Sequence, residues 1–454
     1  MIATYFSRHS FCGTSIGSKN KINLLSINWP LPFTHQLKQT MKSSTKIQLS
    51  IMMFLQFVVW GAWYGQLSKY LFSIGFDGGQ VGNIYATFSI AMIISPFIAG
   101  MIADRFFAAQ KVLGVLNLVG AGLLLLLTTI TDYNTFYWIM LLYCLTFAPT
   151  IALTSSISMR QMTNPQKEFP LIRVMGTVAW IAVTNLVGYM GWGDKNTIFY
   201  VSAITALAIG TYSFTLPNTP PSAKGPVSFG QIIGKDAFVL FKDRSFAIFF
   251  LSSLLICIPL SFYYAMANPA ITDAYKAAFV SANPGQALPN TFYVENKMSL
   301  GQASEVLFML LLPIAYLRFG IKWMLISGLL AWIARFLFFG YGNADVAEWM
   351  LYAGILLHGV CYDFFFVSGM IYTDLKAGEK TKSQAQGLIS LATYGLGMGI
   401  GSIISGYVQK MYTNTEGVTN WTSVWLVPAG IALIVLVVFI FLFKDNTRNK
   451  TVAV

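Results

Sequence analysis

Charge is what this chain has least of: Lys, Arg, Asp and Glu make up only 10% of its 454 residues, against about 25% in a typical soluble domain. A water-facing surface cannot be built from so few, and a mean hydropathy of +0.62 agrees, so the chain reads as an integral membrane protein. Cysteine is scarce too. Cys12, Cys144, Cys257 and Cys361 lie far apart, three of them inside apolar runs, which excludes a disulfide framework and a thiolate metal site and leaves packing. No nucleophile, metal or phosphate-loop constellation occurs, so neither an enzyme nor a cofactor is expected, protons aside. The glycine-rich run Gly395 to Gly401 lies inside an apolar span, where close helix packing accounts for it. Acidic residues are outnumbered by basic ones, 17 to 29. In a soluble protein that excess would suggest nucleic acid, but here the basic residues fall in short loops between apolar runs, where membrane topology explains them.

What the chain does have is apolar runs of helical length, each near the roughly 20 residues needed to cross the hydrocarbon. Twelve follow one another, centred near Trp60, Ile90, Gly120, Met140, Ala179, Ile204, Leu255, Met309, Leu329, Leu356, Leu396 and Ile434. The expected fold is therefore an all-α membrane protein of twelve transmembrane helices in two six-helix halves. With the N-terminus inside, the inner loops collect Lys42, Lys111, Arg160, Lys242, Arg244, Lys322, Lys376, Lys382 and Lys444, among others. The outer loops keep only Lys69, Lys195, Lys276, Lys297 and Lys410, so both termini are expected to be cytoplasmic. The longest inner connection, rich in Pro, Ser and Gly from Leu216, divides the spans six and six, as in a duplicated transporter. Expected boundaries are 41–216 for the N-terminal half, 217–244 for the cytoplasmic linker, 245–445 for the C-terminal half and 446–454 for a cytoplasmic tail. Residues 1–40 show no helical period, and Met41 opens a basic leader directly before the first apolar run. Disorder is expected there, from an extension ahead of the natural start. The outer stretch from Asn268 to Asn296, with three prolines, reads as an external cap or an elongated helix end.

Polar residues inside the spans carry the functional expectation. Asp363 sits in the middle of Leu357 to Gly369, a segment otherwise apolar enough to span a bilayer. An ionised Asp at a helix centre costs about 2.5–3.5 kcal/mol on insertion scales, so it should face a cavity, a partner charge or a solute. His358 and Tyr362 are four apart on the same span; His358 reads either as a proton carrier or as a packed, hydrogen-bonded histidine. In the eighth span Gln302 and Glu305 are three apart and share a face, though Glu305 is near enough to the outer end for an interfacial reading as well. Arg173, Thr177 and Trp180 form one stripe of the fifth span, a cation, a hydroxyl and an aromatic plane. Two readings of Arg173 stay open: a solute ligand, or an anchor at the cytoplasmic end.

Between spans two and three, Gly100-Met-Ile-Ala-Asp104-Arg105 resembles the Gly-x-x-x-Asp-Arg loop of the major facilitator superfamily. On that reading Gly100, Asp104 and Arg105 gate one face of the bundle; the alternative is an ordinary inner turn with one ion pair. Four further stretches, Phe54 to Trp63, Pro170 to Thr177, Gln302 to Glu305 and Tyr362 to Gly369, are similar to the nucleoside:proton symporter branch of that superfamily. The resemblance covers roughly Lys46 to Lys444 in matching order. It implies a twelve-helix, proton-coupled importer of nucleosides in a bacterial inner membrane, working as a monomer, with Arg173, Thr177, Gln302, Glu305, Tyr362 and Asp363 around a central cavity. The ribose would bind Arg173, Gln302, Glu305 and Asp363, and the base would stack on Trp180, Tyr362 or Tyr264. Asp363 or Glu305 would carry the proton. One departure stands out: members of the branch carry amides in the middle of the seventh span, where this chain has Ser261 and Tyr264. Another small hydroxylated solute such as a sugar, with or without protons, is the alternative cargo.

Overall fold

The structure, a computed structural model, describes residues 42–98, 106–221 and 235–445. The gate expectation at Gly100, Asp104 and Arg105, the 1–40 extension and the 446–454 tail lie outside the described residues.

Helices account for nearly all of the described chain. The first half contains α1 (Ser43–Gly61), the short α2 (Leu67–Ser73), α3 (Gly78–Ile98), α4 (Ala109–Leu127), α5 (Tyr133–Arg160), α6 (Pro165–Tyr189) and α7 (Thr197–Tyr212). After the linker come a 3-10 segment over Lys235–Lys242, then α8 (Arg244–Ala282), α9 (Val294–Tyr341), α10 (Glu348–Leu356), α11 (His358–Cys361), α12 (Ser368–Ser390), α13 (Met398–Met411) and α14 (Trp421–Leu442). Among the described residues nine continuous helices are long and apolar enough to cross a bilayer. The longest of them, α9 with 48 residues, breaks at Gly320 into two crossings. Adding α1 and α3, at 19 and 21 residues, gives twelve.

Local chemistry sets the helix ends. Asp132, Asn164, Asp243 and Asn420 each accept a backbone N–H of the first turn of α5, α6, α8 and α14, satisfying donors that the helix leaves free. Asp77 and Gln80 cap α3 reciprocally, each side chain bonding the other's backbone N–H at 3.0 Å. Gly320 and Gly378 hold φ of 73° and 67° inside otherwise continuous helices, the left-handed geometry that lets the chain turn back at a membrane face without a loop. The outer stretch resolves as an elongated helix end, since α8 runs 39 residues to Ala282 before the chain turns toward α9.

The first and last described residues, Lys42 and Asp445, lie at one end of the bundle, the termini end, and the two ends are held differently. At the far end the halves are joined. Lys69 Nζ lies 2.8 Å from Glu295 Oε1, Lys410 Nζ 2.9 Å from Asp77 Oδ2, and Asn296 donates to Asn185 Oδ1 at 2.8 Å. The N-terminal end of α3 also presses on α13, where a Cβ on Gly82 would stand 2.4 Å from the Ser402 carbonyl oxygen and one on Gly406 2.2 Å from that of Gly78. Burial would raise the Asp77 carboxyl, but the Gln80 amide and the Lys410 ammonium outweigh it and hold Asp77 below the usual carboxylate range. At the termini end the described polar links run within one half: Gln384 with Asp236, Lys376 with Asp243, Lys382 with Asp374, and Gln161 with Thr219.

Candidate functional site

Two helices of the second half lose their regular winding at mid-span, in π-turns over Tyr362–Val367 and Leu391–Gly397. A π-turn inserts a residue and re-aims the side chains beside it, and such turns concentrate at functional sites. Here they bring Tyr362 and Tyr394 together, hydroxyl to hydroxyl at 2.7 Å. Both tyrosines face a central cavity of about 110 Å³.

The first half contributes Phe57, Trp60, Tyr64, Phe88, Arg173, Gly176, Thr177 and Trp180 to the cavity wall. From the second come Tyr264, Gln302, Glu305, His358, Tyr362, Tyr394 and Met398. Trp60 and Trp180 meet edge to face at 5.4 Å, and Tyr64 meets Tyr264 across the two halves at 5.3 Å. The walls are thus aromatic, with flat faces for a planar ring. Charge is confined to two points, one per half. The Arg173 guanidinium lies 4.3 Å from the Phe57 ring centroid, and Gly176 makes room for it, since a Cβ there would stand 2.8 Å from both Arg173 Nη1 and the Phe57 ring. Glu305 faces it electrostatically from the opposite half, with His358 Nε2 3.7 Å from its Oε2.

Close backbone approach sets that last distance. A Cβ on Gly359 would stand 2.6 Å from the Ser304 carbonyl oxygen and 2.8 Å from Glu305 N, and the Gly359 N–H donates to Ser304 Oγ at 3.1 Å. Gly359→Ala is therefore expected to force α11 from α9 and cut solute affinity by tenfold or more, since an angstrom of misplacement costs about 10²-fold in well-ordered sites. Equilibrium binding to detergent-solubilised variant checks this.

Eight expected site residues line the cavity together: Arg173, Thr177, Trp180, Tyr264, Gln302, Glu305, His358 and Tyr362. Arg173 and Glu305 thus both line this cavity. Two others do not line it. Ser261 is buried and donates to the carbonyl oxygens of Cys257 and Met398 at 3.0 and 2.9 Å, where it ties α8 to the start of α13. Asp363 is fully buried behind the wall, one residue past Tyr362. Neither of its carboxyl oxygens has a hydrogen-bond partner among the described residues, while Glu305 is within electrostatic reach. An ionised carboxylate placed without a polar partner is very costly.

Sequence reasoning missed Arg335. It is fully buried in the second part of α9, and its Nη1 donates to His358 Nδ1 at 3.0 Å. The signal was the one that exposed Asp363, a charge amid an apolar run. The wall aromatics Phe57, Trp60, Tyr64, Phe88 and Tyr394 carried no such signal, because aromatics are common in every span.

Above the cavity, toward the far end, a smaller pocket is lined by Gly65, Gln66, Thr184, Asn268, Glu295 and Met298 and shares Trp180, Tyr264 and Gln302 with it. Glu295 in its wall pairs with Lys69. Asn268 also donates to Glu295 Oε1, at 3.2 Å.

Comparison with known proteins fits this geometry. Residues 43–448 match the family model described as "Nucleoside H+ symporter". Xanthosine permease of Escherichia coli K12 is 34% identical over 413 residues, covering 89% of this chain and 97% of the permease. YegT of the same organism, whose name as a nucleoside transporter is provisional, is 39% identical over 423 residues, covering 90% and 96%. Among solved structures, the nucleoside transporter NupG superposes with a TM-score of 0.81 at 30% identity in an aspartate-to-alanine variant, over 88% of this chain and 100% of that one. A POT family transporter, at 13% identity and a TM-score of 0.62, shares the fold alone. The chain is a multi-pass integral membrane protein of the major facilitator fold, a transporter and not an enzyme, and it belongs to the nucleoside:proton symporter family.

Proposed function

We propose that this protein imports nucleosides together with protons across a bacterial inner membrane by alternating access, and that the arrangement described faces the cytoplasm. The observation that carries this is the division of one cavity between two halves, with Arg173 on one side and Glu305 on the other, joined at the far end and linked within each half at the termini end. A site shared in this way opens to one side or the other as the halves rock. The positive-inside distribution supports cytoplasmic termini, and the halves 41–216 and 245–445 would move about the 217–244 linker. Gly100, Asp104 and Arg105 are proposed to close the cytoplasmic face in the opposite state. Both halves of the cavity come from one chain, so a monomer suffices for transport.

In the bound state the ribose hydroxyls donate to Glu305 and to Gln302 Oε1 and accept from Arg173, while the base lies against Trp180, Tyr264 or Tyr362. Asp363, behind the wall, suits proton carriage better than contact with ribose, and its electrostatic link to Glu305 couples the proton to the solute. With Ser261 engaged by backbone, the base edge is left to Gln302 and the tyrosine hydroxyls. Uptake into proteoliposomes with an acidic exterior, challenged by purine and pyrimidine nucleosides, free bases and sugars, tests the assignment. Nucleosides are expected to compete and free bases and sugars not to; competition by sugars alone overturns it.

A further inference from the structure

Arg335 is a charged group that solute binding does not use. It is fully buried and outside the cavity wall, and its Nε and Nη2 have no hydrogen-bond partner among the described residues. Aromatic faces take the place of a carboxylate. Its guanidinium carbon lies 3.6 Å from the Tyr263 ring centroid, 5.4 Å from that of Trp332 and 5.5 Å from that of Phe339. Cation–π contact offsets part of the desolvation, but apolar residues of similar volume would be cheaper still.

What Arg335 does hold is one atom of one cavity residue. A guanidinium has five N–H donors and no acceptor, so in the 3.0 Å contact the Nδ1 of His358 must accept. The ring proton then sits on Nε2, the nitrogen facing Glu305 Oε2 at 3.7 Å. An imidazolium would set N–H against N–H at Nδ1. The other titratable groups around the ring are Tyr263, stacked at 5.4 Å, Tyr362 at 5.8 Å on its own span, and Cys361, which adjoins Arg335. Arg173 stands across the cavity. Among the described residues the hydrogen bond at Nδ1 is the one to the guanidinium.

We propose that Arg335 is a positioning residue for solute recognition: it locks His358 as a neutral Nε2–H donor aimed at Glu305, so that His358 orients the carboxylate and takes no part in carrying the proton. The proposal rests on the reading of the cavity as the nucleoside site. It separates the duties of neighbouring residues, with Asp363 and Glu305 left to the proton and His358 to geometry.

The wild-type protein decides the tautomer directly. The chain has three histidines, His9, His35 and His358, and a His358→Gln difference spectrum of ¹⁵N-histidine-labelled protein in lipid assigns the third. Between about pH 5 and 8, the range where histidines ordinarily titrate, His358 is expected to remain the neutral Nε2–H form; an Nδ1–H form or an imidazolium in that range overturns the proposal. Kinetics provide a second reading. Arg335→Met should raise the KM for nucleoside about tenfold, as for one lost hydrogen bond to a charged group, while the accumulation ratio at saturating solute still follows the pH gradient. Arg335→Gln, which keeps an N–H for Nδ1, should recover most of that KM. A collapsed accumulation ratio with a normal KM in Arg335→Gln would place Arg335 on the proton path and contradict the proposal. Should the protein take up no nucleoside at all, the functional reading fails, whereas the tautomer measurement still tests Arg335.

Discussion

Asp363→Asn is expected to abolish accumulation of nucleoside above its outside concentration while leaving exchange across the membrane in place. The side chain is fully buried, neither oxygen has a hydrogen-bond partner among the described residues, and no wall contact with solute is lost when it changes. Asn is nearly isosteric, so the fold should tolerate it, but it cannot release a proton. One pH unit is worth about 1.36 kcal/mol per proton, or up to about tenfold accumulation per proton moved. In the variant that ratio should fall to one, with counterflow of labelled against unlabelled nucleoside persisting. Undiminished accumulation would move the proton to Glu305 alone.

The second large effect is expected at the far end. Glu295 is fully buried and Lys69 is 15% exposed in its side chain, so Glu295→Ala leaves an ammonium in a closed passage without its carboxylate. Breaking a buried pair in this way costs about 3–5 kcal/mol. That cost falls on the sealed state and not on the state in which the passage is wet, so the equilibrium should shift toward outward opening by about a hundredfold or more. A Met298→Cys reporter in a Cys12→Ser background lies in the pocket between seal and cavity, and the native Cys144, Cys257 and Cys361 are buried. Labelling of the reporter by a membrane-impermeant thiol reagent should be slow in the parent and fast with Glu295→Ala. Equal rates would mean that Asn185, Asn296 and the α3–α13 contact hold the far end without the ion pair.

Much of this molecule was legible in its sequence, for definite reasons. Twelve crossings follow from the hydrocarbon thickness, and the α9 break at Gly320 falls within the Arg318 to Lys322 turn where charge marked a membrane face. The stripe Arg173, Thr177, Trp180 and the pair Gln302, Glu305 do share faces, and those faces meet. Side-chain direction at mid-span was not legible. Asp363 and Tyr362 are adjacent, and only the π-turn decides that the tyrosine lines the cavity and the carboxylate lies behind it. Ser261 has the right depth for a solute ligand, but the close approach of α8 to α13 gives its hydroxyl to backbone carbonyls. The Lys69–Glu295 seal joins residues 226 positions apart, a pairing that no local pattern announces.

The central claim is that nucleoside and proton share one passage through the Arg173–Glu305 cavity. Proton uptake into proteoliposomes carrying an internal pH dye, started by adding nucleoside outside with no imposed gradient, tests it most directly. Internal acidification that begins with nucleoside addition, saturates with it and vanishes in Asp363→Asn is the predicted result. Nucleoside uptake at full rate with no change in internal pH would contradict the account.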